Sequence, residues 1–243
     1  MFFAPMRGVI DRRILVNYQV DPAVLSALLP APFRPKLVQG KGIAGICLIR
    51  LAHLRPRGLP AFVGLRSENA AHRIAVEWEE QGQLREGVYI PRRDSASRLN
   101  VLLGGRLVPG LQQHARFQVI EKKQHLYVAV DSDDQQTHVV VEGDVAESLP
   151  ANSVFQNVAE ASAFFEHGSI GYSPAQGGGL IQGIRLHAFN WQVVPLTIQQ
   201  VQSSFFDNRQ QFPAGSCTFD CALLMRGVEH AWYAAQTPQL AAV

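Results

Sequence analysis

Lysine is nearly absent from this chain: of 22 lysines and arginines together, only Lys36, Lys41, Lys122 and Lys123 carry amines. A guanidinium stays protonated and is no useful amine nucleophile, so chemistry that needs a free amine has few places to reside. Cysteine is scarce too. Cys47, Cys217 and Cys221 follow neither a disulfide framework nor a zinc spacing, and they read as apolar thiols in a reduced compartment. Charged residues make up 17% of the sequence and the formal net charge is +2, too near neutral for a nucleic-acid or membrane-surface protein. Aromatic and basic residues do not interleave as they do in single-strand binders. No apolar run approaches the length of a membrane span, and MFFAPMRGVIDRR reaches its charges too soon for a signal peptide, so a cytoplasmic protein is expected.

Several catalytic signatures are also missing. Ser203, Ser204 and Asp207 lie in no G-x-S-x-G turn, which argues against a serine hydrolase. The glycine-rich SPAQGGGLIQG has no lysine and no strand-to-helix setting, so it is a turn rather than a phosphate loop. His114, His125 and His138 are spread over strand-like segments without the short pairing a zinc site needs. Neither a metal nor another cofactor is expected.

What the sequence does have is a stretch of concentrated charge, Ser67 to Asn100, and from Arg66, just ahead of it, to Arg98 there are six arginines. Within it, Glu86-Gly87-Val88-Tyr89-Ile90-Pro91-Arg92-Arg93-Asp94 sets two adjacent guanidinium groups behind a proline. Proline cannot donate to a ladder and extends its predecessor, so the segment reads as a strand ending in a turn. Arg92 and Arg93 then point to opposite faces, only one of them toward a given pocket. The other would pair with Asp94 or Glu86, or meet solvent. The alternative is a solvated, arginine-rich strand edge whose surface ion pairs contribute roughly 0 to 1 kcal/mol each.

Elsewhere the pattern is of many short strands. Arg13 to Val20 alternates, and Asp21-Pro22 then opens a short helix with Asp21 as N-cap and Leu25, Leu28 and Leu29 as its buried stripe. Ile43 to Leu51 is almost continuously apolar, as in a strand covered on both sides. Arg50 at its end needs water, a carboxylate or a ligand. The proline-punctuated His53 to Pro60 would be a loop. Ala75 to Trp78, Ala115 to Ile120, Leu126 to Val130 and His138 to Val145 follow as strands, with Lys122 and Lys123 at a hairpin tip. Leu99 to Leu111 carries the turn signals Gly104-Gly105 and Pro109-Gly110. Asn152 or Ser153 caps a helix with Val154, Phe155, Val158, Ala161, Phe164 and Phe165 on one face, stopped by Gly168. Trp191 to Leu196 and Gln200 to Phe206 read as strands broken by Pro195. In the last strand, Cys217, Phe219, Cys221, Leu223 and Met225 alternate on one inward face.

VNYQVDPAVLSALLPAPFRP, GIAGICLIRL, RSENAAHRIAVEW, GVYIPRRDSASRLN, SSFFDN and FDCALLMRG together resemble the YqjF-like family of uncharacterised bacterial proteins, over roughly Arg12 to Trp232. That family is in turn similar to acetoacetate decarboxylase, through the V-D-P-x-x-L-x-x-L-L-P opening and a G-[FY]-x-P-K-K-like element aligned with Gly87 to Arg93. In the decarboxylase the first of those lysines forms a Schiff base and the second lowers its pKa. Here both positions are arginine, so the resemblance implies the fold and the pocket location and argues against the imine chemistry.

These observations give one domain over residues 1–243, of α+β class and mainly antiparallel, with a barrel-like core and a few outer helices. The function expected is binding of a small organic anion, a carboxylate or keto acid. Any catalysis would be lyase-like or hydrolytic, with Glu68, Glu86 and Arg92 as catalytic candidates. Arg93, Asn69, His72, Arg73, Tyr89 and Arg98 are the candidates for contacts to the ligand, and Glu68 and Arg73 could form an internal ion pair. Two alternatives stand beside it. One is a non-catalytic ligand-binding or sensory module on the same barrel. The other is imine chemistry through a remote lysine. A homo-oligomer is implied by the resemblance alone.

Overall fold

The computed structural model describes residues 5–103, 110–174, 181–236 and 238. Its core is a 13-stranded mixed sheet. The strands are β1 (Met6–Val20), β2 (Arg34–Pro35), β3 (Leu37–Val38), β4 (Lys41–Pro56), β5 (Leu65–Glu80), β6 (Gln83–Ser95), β7 (Gln113–Lys122), β8 (His125–Ser132), β9 (His138–Val145), β10 (Ile170–Pro174), β11 (Ile181–Ala188), β12 (Val194–Ser203) and β13 (Cys217–Ala235). Among the described residues three α-helices accompany them: α1 (Pro22–Leu28), α2 (Arg98–Leu103) and α3 (Val158–His167). The class is the one the strand pattern predicts, mainly antiparallel with parallel pairs, among the described residues, only at β6–β10 and β6–β7.

The sheet closes on itself twice. One circuit runs β1–β4–β5–β6–β10–β11–β13 and returns to β1. The other leaves β6 through β7, β8, β9 and β12 to rejoin β13. The two rings share β1, β4, β5, β6 and β13 as a common wall. Successive side chains on a strand point to opposite faces, so each shared strand gives one set to each ring. Ile14, Val16, Ile46, Leu48, Ala70, Ile74 and Val76 join Val128, Val130, Val139 and Val141 in the core of the larger ring. Leu15, Cys47 and Ala75 point the other way, into a smaller apolar cluster with Phe155, Ala161 and Phe165 of the α3 region. Two-sided coverage explains why β4 is buried without interruption from Gly42 to Leu48.

Local chemistry sets the helix starts. The Asp21 carboxylate accepts from the Ala23 N–H at 2.8 Å, with Pro22 at the first helical position. The second helix start lies further on than the sequence predicts: Asn157, not Asn152 or Ser153, caps α3 by accepting from Glu160 N–H at 2.9 Å. Val154 and Phe155 are buried ahead of the helix instead of on it. Residues 98–103, expected only as part of a turn-marked stretch, form α2; residues 104–109 and 175–180 lie outside the described residues.

Two bulges move side chains in ways that strict alternation misses. In β6, Ile90 and Pro91 together stand opposite Arg73, so the strand continues through Pro91 to Ser95 rather than ending there. In β13, Cys221 pairs Asn17 and Phe219 pairs Tyr18, leaving Asp220 as the extra residue. Cys217 and Phe219 therefore pack against the larger ring's core while Cys221 and Leu223 join the smaller cluster. The predicted single inward face is split at Asp220.

Candidate functional site

The smaller ring holds a cavity of about 140 Å³. Strands β1, β4, β5, β6, β10, β11 and β13 all contribute to its wall, and Phe165 of α3 closes part of it. Most of the lining is apolar: Ile49, Leu51, Leu54, Val88, Ile90, Ile184, Leu186 and Trp232. Into this wall come three arginines, Arg13, Arg73 and Arg93.

Each of the three has part of its guanidinium occupied and part free. Arg93 donates from Nε to Ser173 Oγ at 2.9 Å, while its buried Nη2 has no hydrogen-bond partner. Arg73, 3% exposed, donates from Nη2 to Asn17 Oδ1, lies 4.6 Å above the Phe165 ring, and leaves Nε without a partner. Arg13 donates from Nε to Cys47 Sγ at 3.2 Å, sits over Trp191 at 5.6 Å, and leaves Nη1 unpaired. None of them has a carboxylate in ion-pairing range among the described residues. Burial lowers Arg73 and Arg93 to about 10, so both still carry charge at neutral pH.

A polar patch borders this cationic wall. Ser95 Oγ donates to Asn69 Oδ1 at 2.7 Å, and Asn69 Nδ2 donates to Ser67 Oγ at 3.0 Å. Asn100, brought in by α2, donates to Ser67 Oγ at 3.2 Å and Ser95 Oγ at 3.3 Å. Asn69 and Asn100 both line the cavity. The acidic residue beside them, Asp94, has its carboxylate turned away to Arg92 and Thr137.

Of the residues singled out in the sequence, the structure brings Arg93, Arg73 and Asn69 together at the cavity and places the others elsewhere. Arg92 is on the opposite face from Arg93, as alternation requires, held by Asp94 at 2.7 Å and Asp134 at 2.8 Å. Those hydrogen bonds outweigh burial and raise its pKa. Glu68 also faces away, pairing with Arg12 and Arg50, so the Glu68–Arg73 ion pair does not form: five residues of separation puts them on opposite faces. Glu86 pairs with Lys36. His72 is buried against Phe205, with ring centroids 4.7 Å apart, and burial together with Arg92 lowers its pKa to about 3. Tyr89 packs in the larger ring's core near Phe33, and burial raises its pKa. Arg98 is exposed at the start of α2 and does not line the cavity.

Arg13, Cys47, Asn100 and Ser173 were not singled out. Arg13 lies on an alternating strand whose apolar members, Ile14 and Val16, face the larger ring, so an arginine just ahead of them at the opposite parity reads as the solvent face. Only ring closure by β10, β11 and β13 turns that second face inward.

Solved structures with this architecture include an acetoacetate decarboxylase from Legionella pneumophila (TM-score 0.59, 11% identity, covering 96% of this chain and 88% of that one). An acetoacetate decarboxylase-like enzyme from Sphingomonas wittichii matches with TM-score 0.60 and 13% identity over 99% of this chain and 94% of that one. The enduracididine biosynthesis enzyme MppR, complexed with pyruvate, matches with TM-score 0.58 and 10% identity over 98% and 90%. At such identities the likeness shows the fold, which is acetoacetate decarboxylase-like. No curated protein matches the chain. A family described as "Uncharacterized conserved protein" matches residues 10–229, in agreement with the YqjF-like resemblance, and the chain belongs to that family, DUF2071.

Proposed function

We propose that this protein binds a small organic anion, a carboxylate or keto acid, in the cavity of the smaller ring. The observation that carries the reading is the set of three guanidinium groups that each hold a buried nitrogen without a hydrogen-bond partner and have, among the described residues, no carboxylate partner. Burying a charge without a counter-ion is costly, and an anion between Arg13, Arg73 and Arg93 would offset that cost. The apolar wall excludes water and strengthens such contacts, and a guanidinium fork suits a carboxylate. Pyruvate bound to MppR, a protein of the same fold, supports a 2-oxo acid as one form of the ligand.

The lysines support chemistry without an imine. Lys122 and Lys123 sit at the β7–β8 turn, Lys41 is exposed, and Lys36 is paired with Glu86 and stacked 4.5 Å above Phe164. The module that binds without catalysing draws support from a different feature. Of the carboxylates proposed as acid-base partners, Glu68 faces away from the arginines, and Glu86 is taken up by Lys36 and does not line the cavity. Three free cysteines favour a reducing compartment such as the cytoplasm. The exposed Leu59, Phe62, Val63 and Leu65 favour a homo-oligomer.

A thermal-shift titration with small carboxylates and 2-oxo acids tests the anion site. A ligand at a hundred times its Kd stabilises the fold by about 2.7 kcal/mol, a shift that Arg93→Gln should remove while Arg92→Gln keeps it. Equal shifts in both variants, or none with any acid in the wild type, would overturn the assignment.

A further inference from the structure

The cavity contains one more group able to do chemistry. Cys47, on β4, lines it directly and is 7% exposed, and its Sγ accepts the hydrogen bond from Arg13 Nε at 3.2 Å. The other two cysteines have different surroundings. Cys217 packs against the larger ring's core, and burial raises it to about 12. Cys221 is fully buried beside Asp220, accepts from Asn17 Nδ2 at 3.5 Å, and is also pushed up by burial. Neither lines the cavity.

Nucleophilic cysteines occur in electropositive, partly accessible settings, because the sulfur must bear negative charge to attack. Around Cys47 that setting is built by Arg13, which touches the sulfur, and by Arg73 and Arg93 on the same wall. Arg73 is almost wholly buried with an unpaired Nε, and that free donor is an observation independent of the thiol. A bound carboxylate anchored on these cations would bring the atom next to its carboxylate close to the sulfur.

The geometry points to Cys47 as a nucleophile that adds to the carbonyl carbon of a 2-oxo acid held by the cavity arginines. In that step the sulfur–carbon bond forms, the carbonyl π pair moves to oxygen, and oxygen gains the proton the thiol loses. The product is a hemithioketal, with no net oxidation or reduction. A guanidinium N–H stabilises the oxyanion as it develops. The inference rests on the anion-binding reading and extends it by naming a covalent partner.

Alkylation of the full chain by iodoacetate and by iodoacetamide, read site by site by peptide mass, separates the two ideas. The anionic reagent should modify Cys47 at least about tenfold faster than the neutral one, since a cationic cleft concentrates anions by about ten- to a thousandfold. Arg93→Gln should reduce that preference about tenfold, and 2-oxobutyrate should protect Cys47. With 2-oxobutyrate carbon-13-labelled at its carbonyl carbon, wild type should give a tetrahedral-carbon signal that Cys47→Ser loses while still binding the acid in a thermal-shift titration. If Cys47 resists both reagents and no tetrahedral signal forms while carboxylates still stabilise the protein, the nucleophile is overturned and the anion site stands. If Cys47 reacts with iodoacetamide without any preference for iodoacetate, and no carboxylate stabilises the protein, the anion reading fails and this inference fails with it.

Discussion

His230 is fully buried on β13 with neither ring nitrogen in a well-formed hydrogen bond, and burial, reinforced by Arg13, lowers its pKa to about 4. His72 on β5 is buried as well, with Nε2 3.5 Å from Ser203 Oγ, and burial together with Arg92 lowers it to about 3. Both are neutral in the folded protein at pH 7, whereas in the unfolded chain each titrates near 6.5. The unfolded state therefore binds more protons below that value. The contribution of the neutral rings is complete above about pH 6.5 and is lost progressively as pH falls toward 4 and then 3. Denaturation midpoints measured between pH 8 and 4 should drop through this window. In His230→Leu the drop should be shallower, and the variant should be about as stable as wild type at pH 8, because an apolar side chain replaces a buried ring whose nitrogens make no well-formed hydrogen bond. A slope unchanged by the substitution would show that His230 is already protonated in the fold.

At the scale of single elements, Asp220 shows how an extra residue is put to use. Fully buried at the β13 bulge, its carboxylate accepts from Val154 N–H at 2.8 Å, Ser153 Oγ at 2.9 Å and Gln19 Nε2 at 2.7 Å. It thereby pins the segment that leads into α3 and delivers Phe155 and Phe165 to the smaller ring. Hydrogen bonds to a charged group contribute about 1.5 to 3 kcal/mol each, and removing the carboxylate also removes the cost of burying it, so Asp220→Ala should lower the unfolding free energy by about 3 kcal/mol net. Urea denaturation measures this, and a loss under about 1 kcal/mol would mean that α3 docks without the clamp. This element also marks the limit of what the sequence discloses. The α1 start, the β7–β8 hairpin and the buried β4 were legible, because caps, turns and alternation are local. Neither bulge was legible, since an inserted residue looks like any other until its partner strand is known. For the same reason Arg92 and Arg93 could be assigned to opposite faces, yet their destinations depended on ring closure between strands far apart in sequence.

For the whole molecule, the common wall of the two rings should make one cooperative unit out of two cores. Arg12, with no exposed surface, lies at its centre: it pairs with Glu68 on β5 and, at 2.9 Å, with Glu121 on β7. Glu121 also takes Arg50 of β4 at 2.6 Å and Arg226 of β13 at 2.7 Å. These cations outweigh burial and hold Glu121 down at about 2. One network thus joins strands of both rings, and removing one member of a buried pair leaves charge uncompensated at about 3 to 5 kcal/mol. Arg12→Met should lose stability of that order. Because β1, β4, β5, β6 and β13 belong to both cores, the loss should appear as a single shifted transition. Fluorescence of Trp78, in the larger ring, and of Trp232, on the cavity wall, can be read separately in variants that retain one of the two and carry Trp191→Phe. Their denaturation curves should coincide with the loss of far-ultraviolet circular dichroism, in wild type and in Arg12→Met alike. Separate midpoints would mean that the rings fold independently, and that anion binding in the smaller ring stabilises only the strands around it.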